Sequence, residues 1–105
     1  MDNHVLFGGV VNRISDTRYS PAGVPITRLT LDHRSAQTEA GLPREARCRL
    51  SVLVCGAELQ PLVQCLAPGH PVRVHGFLSR ANHRHGELQL VLHATAVEPL
   101  IIEED

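Results

Sequence analysis

Five stretches of the chain have strand patterns: the first is β-branched and apolar, and in the other four apolar and polar residues alternate, which is typical of β-strands with one buried face. In the third stretch, Leu50, Val52 and Val54 point to one side. Arg47 and Arg49 point to the other side. The predicted strands cover Val5–Ile14 and residues 26–34, 47–55, 72–78 and 88–97.

One segment, residues 57–66, follows a helical period instead. Its apolar residues recur at i, i+3, i+4 and i+7, which gives a single apolar stripe on a short helix. Pro61 is compatible with a helix that begins near Glu58, because it then lies in the first turn. The stripe predicts packing against a core, with a dimer or partner contact as the alternative. It consists of Leu59, Leu62, Val63 and Leu66.

Glycine and proline positions predict how the strands bend and connect. Gly8 and Gly9 interrupt the first strand, which predicts a bulge or bend of the kind found at a barrel corner. Residues 20–25 (SPAGVP) predict a turn, because Pro21 fixes φ and Gly23 supplies a positive φ two residues later. Residues 35–45 are polar and show no helical or strand pattern.

The order of elements is three strands, a short helix and two strands. Five short strands are too few for an ordinary two-sheet sandwich, but they can close a small barrel with the helix at one end. We therefore predict an all-β fold, a five-stranded OB-fold barrel with a short helix between strands 3 and 4. The 105 residues allow one domain, residues 1–100, with an acidic tail at residues 101–105.

Charge is unevenly distributed along the chain. The formal net charge of -1 argues against a strong general attraction to nucleic acid or membrane. Residues 13–49, however, carry seven arginines against four acidic residues, a local charge of +3. All ten strong cations are arginines, which suit forked contacts to phosphate better than lysines do. GC-biased codon usage is the alternative explanation for the absence of lysine. The first half of the chain therefore contains candidate phosphate contacts.

The cysteines and the N-terminus predict a reducing, cytoplasmic location. The 3 cysteines are odd in number and include no C-x-x-C pair. Cys48 and Cys55 lie in one predicted strand, too far apart for a disulfide. The N-terminus lacks a signal-peptide pattern, and no apolar run is long enough to span a membrane. We expect reduced thiols, including Cys65, and no membrane partner.

No residue pattern indicates catalysis or a cofactor. Ser35 and Ser51 lack a G-x-S-x-G context, and the chain has no G-x-x-x-x-G-K loop. His83 and His85 are spaced like a metal-ligand pair, but no third nearby ligand or C-x-x-C motif accompanies them. We predict a protein that is not an enzyme and that needs no cofactor or metal. The histidines predicted to be hydrogen-bonded structural residues are His33, His75 and His93.

Two groups of cationic side chains are candidates for phosphate contact. The first lies on the polar face of the second and third strands, which share one surface if these strands pair. The second lies on the connection between the last two strands, residues 79–88 (SRANHRHGEL). The alternatives are a solvated outer face and a flexible polar hairpin tip. The first group is Arg28, Arg34, Arg47 and Arg49; the second is Arg80, His83, Arg84 and His85.

Six segments of the chain, taken in order, resemble a known family. They are NHVLFGGVV, SPAGVP, LTLDHRS, EAG, GHPVRVHGFLS and LVLHA, within about residues 3–98. Together they are similar to the bacterial primosomal replication protein N (PriB) family, dimeric relatives of the single-stranded DNA-binding proteins. The resemblance implies an OB-fold homodimer that binds single-stranded DNA and reloads the replication machinery through PriA helicase and DnaT. Arg18, Arg34 and Arg84 match basic positions of the family's DNA face.

At four positions the chain departs from the best-known members of this family. Leu42 and Arg47 stand where those members have a Phe and a Trp. Asn82 and Gln89 stand where they have Lys. Stacking on an aromatic side chain contributes roughly 1–3 kcal/mol per base. We therefore expect weaker DNA binding than in the tighter members, with a larger contribution from protein partners.

These patterns lead to one functional prediction and one alternative. We predict a non-enzymatic, single-stranded-DNA-binding primosome component that acts in replication restart and stimulates helicase loading. The alternative is a primosome protein–protein adaptor that binds the helicase or its loader and has little DNA binding of its own. The predicted nucleic-acid contacts are Arg13, Arg18, Arg28, Arg34, Arg44, Arg47, Arg49, Arg80, His83, Arg84 and His85.

Overall fold

Five long strands close into a small barrel in the computed structural model of the chain, which describes residues 1–81 and 89–101. The predicted all-β OB-fold is confirmed, with the short helix between the third and fourth long strands. A two-residue strand is an additional element that the sequence pattern does not show. The strands are β1 (Val5–Ile14), β2 (Arg18–Tyr19), β3 (Pro25–Glu39), β4 (Leu42–Cys55), β5 (Pro71–Arg80) and β6 (Leu90–Pro99). The helix is α1 (Gln60–Gln64), preceded by a 3-10 turn at Ala57–Leu59.

The barrel closes because β1 has two partners along its length. The sheet order is β1-β5-β6-β4-β3-β2, and β1 also pairs with β3. Residues 5–10 of β1 pair with β5, and residues 10–14 pair with β3. Each pairing is antiparallel except that of β4 with β6, which is parallel from Val52–Leu92 to Val54–Ala94. The connection from β4 to β6 contains the 3-10 turn, the helix and β5, so it is long enough to join two parallel strands.

The core is built from every second residue of the strands, because successive side chains point to opposite faces. On β3, Leu29 and Leu31 face inward, and their partners on β4 are Val52 and Leu50. Burying one such side chain contributes about 1.5–3 kcal/mol. The buried apolar residues of the core are Val11, Leu29, Leu31, Val52, Val54, Val63, Leu66, Val72, Val74, Val91, Leu92 and Val97.

The helix packs on this core through the predicted stripe. Val63 and Leu66 are buried in the core cluster, and Leu59 packs against it. Pro61 lies in the first turn of α1, where proline removes no intrahelical hydrogen bond. The stripe is therefore used for core packing, as the sequence predicted.

The bulge predicted at Gly8–Gly9 lies elsewhere in β1. The pairing of β1 with β5 is regular through both glycines, and the register shift occurs at Asn12. Gly9 instead allows a close backbone approach, since a Cβ there would lie 2.9 Å from the carbonyl oxygen of Asp32. The predicted turn is found as expected. Gly23 has φ of 83° and donates its N–H to the Ser20 carbonyl oxygen.

The polar segment at residues 35–45, for which the sequence showed no pattern, belongs to a long hairpin. β3 and β4 stay paired from Ile26–Cys55 to Glu39–Leu42. Ala40 and Gly41 form the turn, with φ of 51° and 77°. Every residue from 36 to 45 is exposed, so neither face needs apolar side chains and no alternation arises. We call residues 34–47 the hairpin arm.

The cysteines and the chain end add little to the barrel. Cys48, Cys55 and Cys65 are free and exposed. In the part of the chain that the structure describes, no helix has the length and apolar character needed to cross a bilayer. Ile101 is the last described residue, so the acidic end of the predicted tail lies outside the described residues.

Candidate nucleic-acid interface

Four arginines share the outer surface of the β3–β4 hairpin. The antiparallel register places Arg34 directly opposite Arg47. Arg49 lies opposite Asp32, two residues before Arg34 on the same strand. Arg28 is on this face as well, because it is an even number of residues from Arg34. Residues separated by up to 21 positions in the sequence are thereby brought to one surface.

Two further arginines extend this surface onto β1 and β2. Arg13 pairs with Thr30, and Arg18 pairs with Ile26, on the same side of β3 as Arg28. A cleft of about 500 Å³ is lined by Arg13 and Arg49, and another of about 370 Å³ by Arg18 and Arg28. We call this surface the arginine face. Its members are Arg13, Arg18, Arg28, Arg34, Arg47 and Arg49.

Carboxylates pair with half of the arginine face. Glu45 forms ion pairs with both Arg34 and Arg47, the second at 3.6 Å. Asp32 Oδ1 accepts a hydrogen bond from Arg49 Nε at 2.8 Å. Each of these side chains is at least 45% exposed, so solvent screens the pairs and weakens them. Such pairs can be exchanged for contacts with another anion.

The other half of the arginine face has no carboxylate partner within the part of the chain that the structure describes. Among the described residues, no carboxylate oxygen lies within 4.0 Å of a guanidinium nitrogen of Arg13, Arg18 or Arg28. Six arginines against three carboxylates leave this surface with a net charge of +3. The face is therefore cationic although the whole chain is not. The three carboxylates are Asp16, Asp32 and Glu45.

Asp32 is held in place from two sides. Asn12 Nδ2 donates to Asp32 Oδ2 at 2.9 Å, while Arg49 Nε donates to Oδ1. The hydrogen bond from Arg49 is the main cause that lowers the pKa of Asp32 below its ordinary value of 3.8. The same contact raises the pKa of Arg49. Asp32 thus orients Arg49 as well as neutralising it, a role that the sequence did not reveal.

Some predicted contacts do not join the arginine face. Arg44 lies on the opposite face of the hairpin arm, opposite Gln37, and its Nε is 3.6 Å from Glu39 Oε2. Arg80 is the last residue of β5, opposite Leu90, where the chain enters the connection to β6. The remaining predicted contacts fall outside the described residues. They are His83, Arg84 and His85.

Polar residues that the sequence did not single out line the cleft of about 500 Å³ beside Arg13 and Arg49. Thr30 and Ser51 are cross-strand partners on the outer face. Asn12 lines the same cleft, next to buried Val11 in the chain. Thr30, Ser51 and Asn12 follow from the alternation once the register is known. The outward position of Arg13 has no such signal, because it depends on the register shift in β1, and the position of a bulge depends on the partner strand.

His33 has the structural role predicted for it. Its Nδ1 lies 2.6 Å from the Gly8 carbonyl oxygen, and its Nε2 lies 2.7 Å from Ser35 Oγ. Gln37 Nε2 donates to the same hydroxyl oxygen. The ring also packs on Phe7, with centroids 4.5 Å apart. These contacts connect the base of the hairpin arm to β1 and stabilise its position.

Residues 1–81 and 89–101, which the structure describes, contain no group of three or more His, Cys, Asp or Glu side chains arranged to hold a metal ion. What the arginine face offers a ligand is positive charge and many N–H donors in open clefts. This chemistry suits phosphate.

The barrel has counterparts among known proteins. A model described as another single-strand binding protein family matches residues 3–96. The PriB structure from Ralstonia solanacearum has a TM-score of 0.82 at 26% identity, covering 95% of this chain and 100% of that one. The single-stranded DNA binding protein from Thermus aquaticus has a TM-score of 0.75 at 28% identity, covering 94% of this chain and 50% of that one. Fold and surface together define an OB-fold of the single-strand binding class.

The sequence of one relative identifies the family within this class. Replication restart protein PriB from Photobacterium profundum is 43% identical over 98 residues, which is 93% of this chain and 94% of that protein. The chain belongs to the PriB family. The resemblance predicted from the six ordered segments is thereby confirmed.

Proposed function

We propose that this protein binds single-stranded DNA as a non-enzymatic primosome component in replication restart. The observation that carries the proposal is the arginine face, where four strands bring six arginines to one surface. Membership of a family of replication restart proteins supports the same role. Binding is without sequence preference, because guanidinium contacts to phosphates read no base edges.

Binding proceeds through exchange of ion pairs. Three arginines of the face contact phosphates without first breaking an ion pair, because no carboxylate among the described residues pairs with them. They are Arg13, Arg18 and Arg28. Arg34 and Arg47 exchange Glu45 for phosphate at little cost, because the existing pairs are exposed and screened. Counterions released from the DNA supply most of the driving force.

Base stacking contributes less to DNA affinity in this chain than in the best-known family members at the two positions where those members carry aromatic residues. Leu42 is 64% exposed at the tip of the hairpin arm, and it has no ring on which a base can stack. Arg47 stacks only through its guanidinium group, and less well than an aromatic ring. We therefore propose that affinity depends mainly on charge and that PriA helicase and DnaT strengthen assembly on DNA.

We further propose that the protein acts as a homodimer through the edge of β1. Within the described part of the chain, β1 residues before Val10 have a strand partner on the β5 side only. Leu6 is 56% exposed on this segment. An unpaired edge with exposed apolar side chains is a template for pairing with a second strand. Sedimentation equilibrium should give twice the chain mass, and a monomer at micromolar concentration would contradict this proposal.

A salt titration tests DNA binding most directly. If four to six phosphates are neutralised, log affinity for oligothymidylate should fall with log salt at a slope of about -3 to -4. Arg28→Glu and Arg34→Glu should weaken binding and flatten the slope. Arg73→Glu is the matched control, because Arg73 lies on β5, opposite Gly8 and Glu98, with β1 between it and β3. Absence of binding at low salt would contradict the proposal.

The pairing of Arg34, Arg47 and Arg49 with carboxylates favours one alternative, a protein–protein adaptor. In that role the protein binds the helicase or its loader and has little affinity for DNA. Arg34→Glu then distinguishes the two functions. Loss of DNA binding with intact helicase stimulation would favour the adaptor, whereas parallel loss of both would favour DNA binding.

A further inference from the structure

A pair of stacked rings, exposed Phe77 and half-buried His93, lies beside the arginine face. Phe77 on β5 and His93 on β6 are cross-strand partners, and their rings are parallel within 2° at a centroid distance of 5.0 Å. Phe77 is 41% exposed although it is one of only three Phe or Tyr residues in a chain without tryptophan. The ring of Phe77 lies on the outer surface of the barrel, so it adds little to the core and is available to a ligand.

Strand register connects this pair to the arginine face. Leu53 pairs with His93 on one side and with Arg28 on the other. Cross-strand partners point to the same face of a sheet. Arg28, Leu53, His93 and Phe77 therefore form one continuous row across β3, β4, β6 and β5, about 14 Å long at ~4.8 Å per strand.

One end of this row opens into a cleft that is already part of the arginine face. The cleft of about 370 Å³ is lined by Arg18, Arg28 and Leu53. Positive charge thus occurs at one end of the row and aromatic surface at the other. A single strand of several nucleotides has the matching combination over this length, with anionic phosphates and flat bases.

We propose that Phe77 and His93 form a stacking platform for an unpaired base of the DNA strand whose phosphates contact Arg18 and Arg28. This inference rests on the proposed DNA-binding function and adds a base-binding site to it. The platform lies on strands other than those that carry Leu42 and Arg47. It therefore gives the chain an aromatic contact despite the missing rings at those positions.

The surroundings of Phe77 favour a base over a protein helix as the occupant. Along β5, its neighbours on the same face are His75 and Ser79, two residues away on either side. His75 Nε2 is 3.2 Å from Glu98 Oε1, so this side of the platform is polar. A docked amphipathic helix needs apolar anchors spread over two turns. Leu6 on β1, opposite His75, is a further exposed apolar side chain on this face, one strand away from the ring pair. The parallel rings of Phe77 and His93 offer a flat surface the size of one base.

Tryptophan substitution provides a direct test, because the natural chain has no tryptophan. Phe77→Trp introduces a single tryptophan, whose emission should be quenched saturably when oligothymidylate binds. Ile101→Trp is the matched control, since Ile101 is 91% exposed at the chain end and lies outside the row. Its emission should not change. Circular dichroism of both variants checks that the fold is kept.

Truncation variants separate stacking from charge. Phe77→Ala should lower affinity by about fivefold or more and leave the salt slope unchanged, because stacking releases no counterions. Arg28→Ala should instead reduce the slope by about 0.7. Ile101→Ala should change neither quantity.

The outcomes distinguish this inference from the proposed function. Saturable quenching with loss of affinity in Phe77→Ala supports the platform. Salt-dependent binding with an unquenched Trp at position 77 and full affinity in Phe77→Ala overturns the platform and leaves the DNA-binding function intact. No binding by any variant or by the natural chain overturns both.

Discussion

The β3–β4 hairpin contains two regions with the same antiparallel pairing and different surroundings. In the barrel region, residues 25–33 and 48–55, one face packs on the core and includes Leu31, which is fully buried. In the hairpin arm, all residues from 36 to 45 are exposed on both faces. One region is stabilised by burial of apolar side chains. The other depends on backbone pairing, the turn and exposed ion pairs.

The comparison shows how a small barrel separates stability from binding. Arg34 and Arg47 lie in the arm, where no apolar core depends on them. Arg28 and Arg49 lie on the outer face of the barrel region, directly behind core residues. The arginine face therefore spans a rigid part and a projecting part of one hairpin, and changes in the two parts should differ in their effects.

The largest expected effect is on stability in the barrel region. Leu31→Ala should lower the free energy of unfolding by about 2–5 kcal/mol, because it leaves a cavity among fully buried neighbours. Urea denaturation followed by circular dichroism measures the change. Thr38→Ala in the arm should alter stability by no more than about 0.5 kcal/mol, since Thr38 is exposed. Equal losses in the two variants would contradict the division between barrel and arm.

A smaller effect concerns the two carboxylates that pair with the arginine face. The pKa of Asp32 is lowered in the folded chain, so its contribution to stability is present above the ordinary value of 3.8. That contribution is lost as the pH falls through the lower folded value. Asp32→Asn should therefore slightly lower the melting temperature at neutral pH, and the difference should shrink as the pH falls below 3.8. Melting curves across this range provide the measurement.

Glu45→Gln is the matched variant in the arm. Glu45 contacts two exposed arginine side chains on the arm, and solvent screens both ion pairs. The melting temperature of the Glu45→Gln variant should therefore equal that of the natural chain at neutral pH. A loss of stability in Asp32→Asn that does not change with pH would contradict this prediction. It would show that the hydrogen-bond geometry of Asp32, and not its charge, contributes to stability.

The alternation along the chain was sufficient to predict most of the fold. Leu29, Leu31, Val52 and Val54 alternate with polar residues because one sheet face is buried, and this rule predicts each strand locally. The helical stripe near Val63 follows from the same reasoning with a different period. Strand ends in the arm were missed because exposed strands need no alternation. The six ordered segments also identified the family.

The arrangement of the candidate site required tertiary structure. Alternation predicts that Arg28 and Arg49 face outward, but not which strands lie beside them. The register that places Arg13 opposite Thr30 depends on the shift at Asn12. Leu53 lies beside His93 only because β4 pairs in parallel with β6, and the helix and β5 separate these two strands in the sequence. Pairing of Glu45 with Arg34 likewise depends on the hairpin register.

The sequence by itself therefore determined which residues are buried or exposed within each strand, the family, and the excess of arginine in the first half. These properties are local or cumulative, since each depends on side-chain chemistry and its period along the chain. Only the tertiary structure decided which exposed residues are neighbours. That decision depends on contacts between residues far apart in sequence, whose register is set by packing of the whole barrel.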